Sequence, residues 1–473
     1  MQPSVLPGHD RVIRGIAFAI LAIAWPAQGQ LLQTLQQTGP SSNRVDIAIL
    51  GDGYTDAETD RFFTDVNTFI DYAFTGSQAP YPRYANYFNI HAIELHSPES
   101  GADVPESGIT VDTALDATYG EGSLARLLTV NTYKANQALT AAIAGTDIDP
   151  DMKTVTVNSS LYGGSAQGTW ATWAGSHGSA GELGLHETGH SFGSLADEYA
   201  YGGSSFPGWY EPGEPNVTAD ETGAKWAHWL GYQDPDYSIS EVGVYEGARY
   251  FSEGLYRPTY DSKMRSLGRP FNAVSREAII LAIYDHVSVL DDWLGSQSGD
   301  LVLHDKPDLW VDVIDPDVVK VDWLVDGQLV AADAGETFDL YGAGFGPGSY
   351  FVEAIAYDPT EWVRKDLEKL TATVSFEVTF EHAYGDIDKD LDVDFTDFTV
   401  LLAQFGKTVD PFSGADLDGD GFVGKADMDL LETYFGLTYT LPVSTGAVIP
   451  EPHTLALLSV AGVGQLVRRR RKR

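Results

Sequence analysis

The residues best suited to catalysis lie in the segment His186-Glu187-Thr188-Gly189-His190, which matches the pattern H-E-x-x-H. In a helix, positions i and i+4 lie on one face, so both imidazoles can bind the same metal ion. Glu187 lies beside them, where its carboxylate can take a proton from a water molecule that the ion activates. The spacing predicts a zinc site with His186 and His190 as ligands and Glu187 as general base. The alternative is a surface helix that carries two titrating histidines.

A catalytic zinc ion needs a third protein ligand and one open position. Gly193 stands three residues after the second histidine, where metzincin peptidases use a glycine to turn the chain back. Metzincins place a ligand three residues further on, but that position here is Ala196, which has no ligand atom. Asp197 is the next residue and is the predicted third ligand. Glu198 is the alternative, since a carboxylate there could be the ligand or could orient a histidine.

Strands and helices alternate around this segment. A helix is predicted over residues 180–192, with Gly193 at its end. The other predicted elements are strands over residues 45–51 and 153–158 and helices over residues 57–72 and 276–294. Such alternation is typical of α/β domains. We therefore expect an α/β metallopeptidase domain over residues 40–297, with the histidine helix inside it.

The sequence pattern changes over residues 300–380, where short runs typical of β-strands appear. Turn residues separate the runs, notably Asp326-Gly327. The predicted strands cover residues 310–314, 319–325, 350–357 and 372–380. A small β-sandwich domain over residues 300–380 is the expected arrangement.

The chain resembles the IgA peptidase family of zinc metallopeptidases over roughly residues 43–380. Besides His186 through Tyr199, the segments that carry the resemblance are Gly51-Asp52-Gly53-Tyr54, Tyr87-Phe88-Asn89, Asn158-Ser159-Ser160, Tyr162-Gly163-Gly164, Glu214-Pro215-Asn216, Glu246-Gly247-Ala248, Tyr256-Arg257-Pro258 and Lys263-Met264-Arg265. The resemblance implies a metzincin-like fold in which His186, His190 and Asp197 bind zinc and Glu187 is the catalytic base. It also implies that Met264 lies in a Met-turn beneath the metal, where its role is packing.

Residues 384–437 contain two acidic loops with the spacing of calcium-binding loops, in which positions 1, 3, 5, 9 and 12 supply oxygen ligands and position 7 a backbone carbonyl. The predicted ligands are Asp386, Asp388, Asp390, Asp392, Asp394 and Asp397 in the first loop and Asp416, Asp418, Asp420, Phe422 and Asp427 in the second. Leu391 occupies the sharp-turn position where glycine is usual, and Gly424 offers no side-chain ligand at position 9.

An apolar helical run follows each acidic loop, over residues 398–405 and 428–435. The duplicated loop-helix unit resembles a dockerin, which implies up to two structural Ca²⁺ ions and a cohesin-like partner. Carboxylates this close together repel each other, so calcium is expected to drive folding of the unit. The alternative is an acidic, solvated linker.

The two ends of the chain have the composition of targeting segments. Residues 1–29 predict a secretory signal peptide, because a short apolar run follows Arg11 and Arg14. Residues 448–473 carry Pro450-Glu451-Pro452, a short apolar run and six terminal basic residues, and they resemble the PEP-CTERM sorting signal. That resemblance implies processing by an exosortase-type enzyme at the surface of a Gram-negative bacterium. The alternatives are an N-terminal membrane anchor and a simple tail anchor.

Composition narrows the choice of partners and chemistry. The net charge is −39, from 68 acidic and 29 basic residues, so nucleic acid and anionic lipid are not expected to bind. The absence of cysteine excludes disulfides and thiolate metal sites.

The sequence thus predicts a multidomain protein, with an α/β metzincin-like metallopeptidase domain, a small β-sandwich, a helical dockerin-like calcium module and a short hydrophobic sorting tail. The predicted function is zinc-dependent hydrolysis of peptide bonds in a protein or glycoprotein substrate. One alternative is a surface adhesion or matrix protein with a vestigial peptidase site. The other is a dockerin-borne carbohydrate-active enzyme, but no pair of carboxylates in the chain indicates that chemistry.

Overall fold

The structure is a computed structural model that describes residues 30–120, 124–295, 301–302, 308–380 and 384–439. The predicted signal peptide (residues 1–29) and sorting tail (residues 448–473) lie outside the described residues. Within the described ranges, no helix combines the length and apolar character needed to span a bilayer.

A six-stranded sheet forms the centre of the first part of the chain. The first eight strands are β1 (Gln30–Gln36), β2 (Val45–Asp52), β3 (Phe88–Leu95), β4 (Thr118–Tyr119), β5 (Leu128–Thr129), β6 (Met152–Val157), β7 (Gly164–Gln167) and β8 (Trp170–Ala174). The sheet order is β1-β3-β2-β6-β8-β7, while β4 and β5 pair with each other. The four inner strands are parallel, and β1 and β7 are antiparallel edge strands. No strand was predicted at β1, which precedes the expected start of the domain.

Helices cover both faces of this sheet, as expected for a buried parallel sheet. They are α1 (Thr59–Phe74), α2 (Thr132–Ile143), α3 (Ala180–Ser191) and α4 (Ala273–Tyr284). Ile47 and Ile49 of β2 share one apolar core with α1 and α3, whereas Ala48 and Leu50 share another with α2. Strand alternation therefore assigns α1 and α3 to one face and α2 to the other. The predicted helices over 57–72 and 180–192 are confirmed to within two residues.

The predicted helix over 276–294 is wrong in its second half. The helix α4 ends at Tyr284, and residues 290–293 form a strand instead. Val287 and Val289 are β-branched and buried, which favours extended backbone. Leu290 pairs with Val313 of a later strand, so tertiary pairing overrides the apolar helical pattern.

Besides α4, the described residues between 245 and 380 contain ten strands. They are β9 (Tyr245–Ala248), β10 (Phe251–Arg257), β11 (Leu290–Trp293), β12 (Leu301–Val302), β13 (Asp308–Val313), β14 (Lys320–Val325), β15 (Gln328–Ala331), β16 (Thr337–Asp339), β17 (Gly348–Tyr357) and β18 (Thr371–Phe380). The last eight form a three-stranded sheet, β11-β13-β16, and a five-stranded sheet, β12-β18-β17-β14-β15. Trp323 of the second sheet stacks on Phe338 of the first, with ring centroids 5.4 Å apart. The multidomain mixture of sheets agrees with the predicted fold class, while the domain boundaries stay a prediction.

Two short helices end the described chain, α5 (Phe395–Gln404) and α6 (Lys425–Tyr434), each directly after an acidic loop. The unit they form is packed onto the preceding sheets through tyrosines. Tyr341 is fully buried, and its ring centroid lies 5.0 Å from that of Tyr384 and 6.2 Å from that of Tyr434. The buried side chains of this unit belong to the same continuous apolar core as those of β14 and β17.

Candidate metal centre

The helix α3 presents both histidines of the H-E-x-x-H segment on one face. His186 and His190 are one turn apart, and their rings meet edge to face with centroids 4.8 Å apart. Their Nε2 atoms lie 3.2 Å from each other. The i, i+4 spacing therefore brings two imidazole nitrogens to one point, as predicted.

The other nitrogen of each ring is held by a backbone carbonyl. The Nδ1 of His186 is 3.0 Å from the carbonyl oxygen of Lys263, and the Nδ1 of His190 is 2.6 Å from that of Leu195. A carbonyl can only accept, so each Nδ1 is the donor and the neutral ring carries its lone pair on Nε2. Two lone pairs that converge in this way form a donor set suited to a metal cation.

Asp197 completes this donor set. Its Oδ1 lies 3.1 Å from Nε2 of His186 and 3.3 Å from Nε2 of His190. One ligand atom from each of the three side chains lies within 4.8 Å of the others. Burial raises the pKa of the Asp197 carboxyl, but hydrogen bonds that the Nε2 atoms of His186 and His190 donate in their protonated form prevail and lower it. Two imidazoles and one carboxylate fit zinc and leave a coordination position open.

Tyr250 holds the second oxygen of Asp197, and sequence reasoning missed it. Its hydroxyl donates to Oδ2 of Asp197 over 2.5 Å. Arg249 and Tyr250 have φ angles of 48° and 70°, a left-handed conformation that is uncommon outside glycine. The turn between β9 and β10 thus adopts an unfavourable backbone that directs the tyrosine at Asp197. The only sequence signal was the matched segment Glu246-Gly247-Ala248 just before it.

Glu198, the alternative to Asp197, faces away from the histidines and is fully buried. Its Oε1 accepts hydrogen bonds from the side-chain amides of Asn216 (3.0 Å) and Asn272 (2.9 Å). Its Oε2 accepts one from the hydroxyl of Ser262 over 2.6 Å. The carboxylate therefore ties three chain segments together beneath the site, and it orients neither histidine. This corrects the second role considered for it.

Glu187 is buried beside the histidines with its carboxyl at the cleft. Burial raises the pKa of this carboxyl, while the neighbouring charges of His186, His190 and Arg126 act in the opposite direction. Gly164, the first residue of β7, passes so close that a Cβ there would lie 2.6 Å from Oε1 of Glu187. A side chain at this position would push the carboxyl of Glu187 aside.

Met264 lies beneath the helix at the point implied by the resemblance. It is fully buried, and a Cβ on Gly189 would lie 2.9 Å from its Sδ. The glycine between the two histidines therefore lets the methionine approach the helix backbone. The turn that follows α3 differs from expectation, because the left-handed φ of 52° falls on Ser194 and not on Gly193.

Charged side chains also stabilise the segment around Met264 beneath α3. The ammonium of Lys263 is buried and donates to Oε2 of Glu182 over 2.5 Å, and Glu182 also accepts from the hydroxyl of Tyr72. Glu182 lies on α3, one turn before His186. The ion pair ties the segment around Met264 to α3 without a disulfide, since the chain has no cysteine. The hydrogen bonds of Glu198 tie the segments beneath the site to one another.

The site opens into a cleft of about 580 Å³. One wall is aromatic, and the edge strand β7 and the loop after Met264 form the others. The lining includes Arg126, Tyr162, Gly164, Ser165, Leu183, Glu187, Tyr199, Tyr201, Tyr250, Lys263, Arg265 and Leu267. A cleft of this volume lies within the range of roughly 300–1,000 Å³ that is usual for ligand-binding sites.

The two acidic loops gather some of their predicted ligands and not others. Carboxylate oxygens within 4.8 Å of one another come from Asp386, Asp388 and Asp397, from Asp392, Asp394 and Asp397, and from Asp416, Asp418 and Asp427. Asp390 and Asp420 instead accept hydrogen bonds from backbone N–H groups two residues further on. Phe422 could contribute only its backbone carbonyl, because its side chain has no ligand atom.

The second loop contains a buried carboxylate oxygen that no described residue satisfies. Asp416 is 2% exposed, and its Oδ2 accepts from the backbone N–H groups of Phe412 and Gly421. Its Oδ1 is buried with no hydrogen-bond partner among the described residues. An unsatisfied carboxylate oxygen is costly in such a place unless a cation neutralises it. Leu391 and Gly421 turn the two loops with φ of 74° and 82°, so Leu391 adopts the turn that glycine usually makes.

Comparison with known families adds two matches. The family model described as IgA Peptidase M64 matches residues 33–239 and 235–283, which include every residue of the metal centre. The model of the PEP-CTERM protein-sorting motif matches residues 448–472 and confirms the predicted sorting signal. That motif indicates a secreted, cell-surface protein of a Gram-negative bacterium that is processed at its C-terminus.

No curated protein matches the chain at a significant level. Among solved structures, it is similar to the Bacteroides ovatus mixed-linkage glucan utilization locus protein SGBP-B in complex with a mixed-linkage heptasaccharide, with 15% identity and a TM-score of 0.14. The matched region covers 21% of this chain and 24% of that one, so the chain spans about a quarter of the length of the structure it matches.

Proposed function

This chain belongs to the IgA Peptidase M64 family, and on that premise we propose that it is a secreted zinc-dependent metalloendopeptidase acting on a protein or glycoprotein. His186, His190 and Asp197 are the proposed zinc ligands, and Glu187 is the proposed catalytic base. One observation carries the proposal: two imidazole nitrogens and one carboxylate oxygen converge within 4.8 Å, beside a buried glutamate at a cleft.

The proposed reaction uses the carboxyl of Glu187 twice. Zinc bound at the three ligands supplies Lewis acidity, which lowers the pKa of a water molecule and polarises the scissile carbonyl. Glu187 accepts the proton that this water loses as its oxygen attacks the carbonyl carbon. The same carboxyl then donates the proton to the amide nitrogen, and the C–N bond breaks to give a new carboxyl end and an amine. Burial suits Glu187 to this exchange because a raised pKa makes its neutral form accessible.

The remaining residues hold the ligands in place. The carbonyls of Lys263 and Leu195 fix both imidazole rings, and Tyr250 fixes the carboxylate of Asp197. Ligand orientation by such hydrogen bonds strengthens metal binding, typically by about 10- to 100-fold for each group. We therefore assign Tyr250 a positioning role at the metal centre.

Metal removal tests this function. Zinc content and cleavage of denatured casein and of a peptide library should both be lost after chelation, and added zinc should restore both. Cleavage that persists in chelator would refute the proposal. A folded protein that binds zinc but cleaves no library peptide would support the alternative of a surface protein with a vestigial site.

We also propose that the acidic loops over residues 384–437 bind up to two structural Ca²⁺ ions, as a dockerin-like unit that could recruit a cohesin-like partner. The support comes from the gathered carboxylates and from the buried Oδ1 of Asp416. Asp427 is fully buried and accepts hydrogen bonds from the N–H groups of Leu417 and Gly424, which supports our assignment of it as the bridging ligand of the second loop.

Thermal unfolding of the full chain tests the calcium proposal. Millimolar calcium should raise the melting temperature of the unit, because a divalent cation offsets the repulsion between the aspartates. Asp427→Asn should reduce that rise. Asp429→Asn should not, because Asp429 lies outside the loop and pairs with Lys425 on the same helix. A melting curve that calcium leaves unchanged would remove the proposal.

A further inference from the structure

Arg126 is an exposed arginine that lines the cleft of the metal centre. The only hydrogen-bond partners of its side chain in the described part of the chain are two phenols: Nη2 donates to the hydroxyl of Tyr201 over 2.7 Å and to that of Tyr199 over 3.3 Å. Within the same residues it forms no ion pair with a carboxylate. Its Nε and Nη1 groups are therefore available as donors to a ligand, as far as the described residues show.

Arg126 lacks a carboxylate partner among the described residues although the chain has 68 acidic residues and only 29 basic ones. The other cations of the cleft are engaged. Lys263 is buried and forms an ion pair with Glu182. Arg265 donates a hydrogen bond to the carbonyl of Tyr260, and its Nη1 lies 3.9 Å from Oδ1 of Asp261. Arg126 is thus the cleft cation with the most unused hydrogen-bonding capacity in the described structure.

Aromatic packing holds Arg126 in place and connects it to the metal centre. The guanidinium lies 5.5 Å from the ring centroid of Tyr199, and the rings of Tyr201 and Tyr250 stack at 5.7 Å with an interplanar angle of 9°. Tyr250 in turn donates to Asp197. The arginine is therefore preorganised at a fixed position relative to the metal ligands, as a specificity contact requires.

We propose that Arg126 binds a carboxylate of the peptide substrate, so that the enzyme selects acidic peptides. The proposal rests on the peptidase function proposed above. A guanidinium presents paired N–H donors that match the two oxygens of a carboxylate, and a charge-assisted pair of this kind is stronger than a neutral hydrogen bond. The carboxylate can belong to an Asp or Glu side chain or to the C-terminus of the peptide, and the experiment separates these two sources.

The test uses a positional library of fluorogenic peptides in which one position at a time is Asp or Asn. One set has an amidated C-terminus and the other a free C-terminus. The wild-type protein should prefer the peptide that carries the carboxylate by roughly 10- to 100-fold in kcat/KM, the effect of one hydrogen bond to a charged group. A preference confined to Asp in the amidated set assigns a side chain. A preference for the free C-terminus assigns the terminal carboxylate.

Three variants locate the preference. Arg126→Gln should cleave Asp and Asn peptides at equal rates, with the loss falling on the acidic peptide alone. Tyr201→Phe removes the hydroxyl that lies closer to Arg126 but keeps the charge of the arginine. The preference for the acidic peptide should therefore become smaller without being lost. Arg61→Gln is the matched control, because Arg61 is also exposed and lies outside the cleft. It should retain the full preference.

The proposal fails if the wild type treats acid and amide peptides alike, or if Arg126→Gln keeps the preference. It also fails if Arg126→Gln slows both peptides equally, since the arginine would then act on the reacting bond and not on a substrate carboxylate. If the wild type cleaves no library peptide, the peptidase function itself fails. Equilibrium binding of the same labelled peptides, measured by fluorescence anisotropy on wild type and Arg126→Gln, then decides the carboxylate proposal separately.

Discussion

We expect substitution of Asp197 to weaken zinc binding and substitution of its neighbour Glu198 to lower the stability of the protein. Asp197 contacts both imidazoles at 3.1 Å and 3.3 Å, whereas Glu198 accepts three buried hydrogen bonds beneath the site. We expect Asp197→Asn to remove the charged ligand while preserving shape. Zinc affinity should then fall by more than the roughly 10- to 100-fold typical of a group that only hydrogen-bonds a ligand.

Truncation of Glu198 should instead cost stability. Glu198→Ala leaves three buried donors without an acceptor, each worth about 1–3 kcal/mol, so the loss is about 3–9 kcal/mol. Even the lower figure should reduce the melting temperature by roughly 6–12 °C in a domain of this size. The isosteric Glu198→Gln keeps acceptors for the two asparagines, and the hydroxyl of Ser262 can rotate to accept from the new amide. It should therefore keep both zinc and most of the stability.

The assay measures zinc by metal titration and stability by thermal unfolding of chelated protein. Chelation matters because zinc loss alone would lower the melting temperature of Asp197→Asn. In chelator, Asp197→Asn should melt close to wild type and Glu198→Ala far below it. The reasoning is refuted if Glu198→Gln loses zinc while Asp197→Asn retains it.

Two further predictions concern packing. Gly189→Ala should destabilise the protein by about 1–3 kcal/mol and weaken zinc binding, because its Cβ would lie 2.9 Å from Sδ of Met264. Gly178→Ala, where a Cβ meets nothing within 4 Å, should change neither property and is the control. A chain that ends near Phe380 should keep peptidase activity, because every contact of the metal centre comes from earlier residues, but it should melt at a lower temperature because Tyr341 becomes exposed. A folded, inactive truncation would show that the calcium unit contributes to the site.

Local sequence patterns predicted the elements that carry the metal centre. The histidine spacing placed both rings on one face of α3, and the strands β2 and β6 were predicted at the positions where they occur. These features depend on periodicity within a few residues, which a sequence displays directly. Four strands of the later region, β13, β14, β17 and β18, were predicted for the same reason, whereas β15 and β16 were not.

Contacts between distant segments could not be predicted in the same way. Tyr250 reaches Asp197 across 53 residues, and Glu198 is held by residues 18, 64 and 74 positions away. Nothing in the local pattern distinguishes two adjacent carboxylates, so which of them faces the histidines is decided by these partners. The end of α4 was predicted wrongly for the same reason, because the pairing of Leu290 with Val313 is a tertiary contact.

The measurement that tests the central claim most directly is the activity of a zinc-loaded Glu187 variant. Glu187→Ala removes the proton acceptor but none of the three proposed ligands, so it should bind zinc with wild-type stoichiometry and lose nearly all peptide cleavage. His190→Ala, measured beside it, should lose both zinc and activity. Cleavage by Glu187→Ala at the wild-type rate would contradict the account.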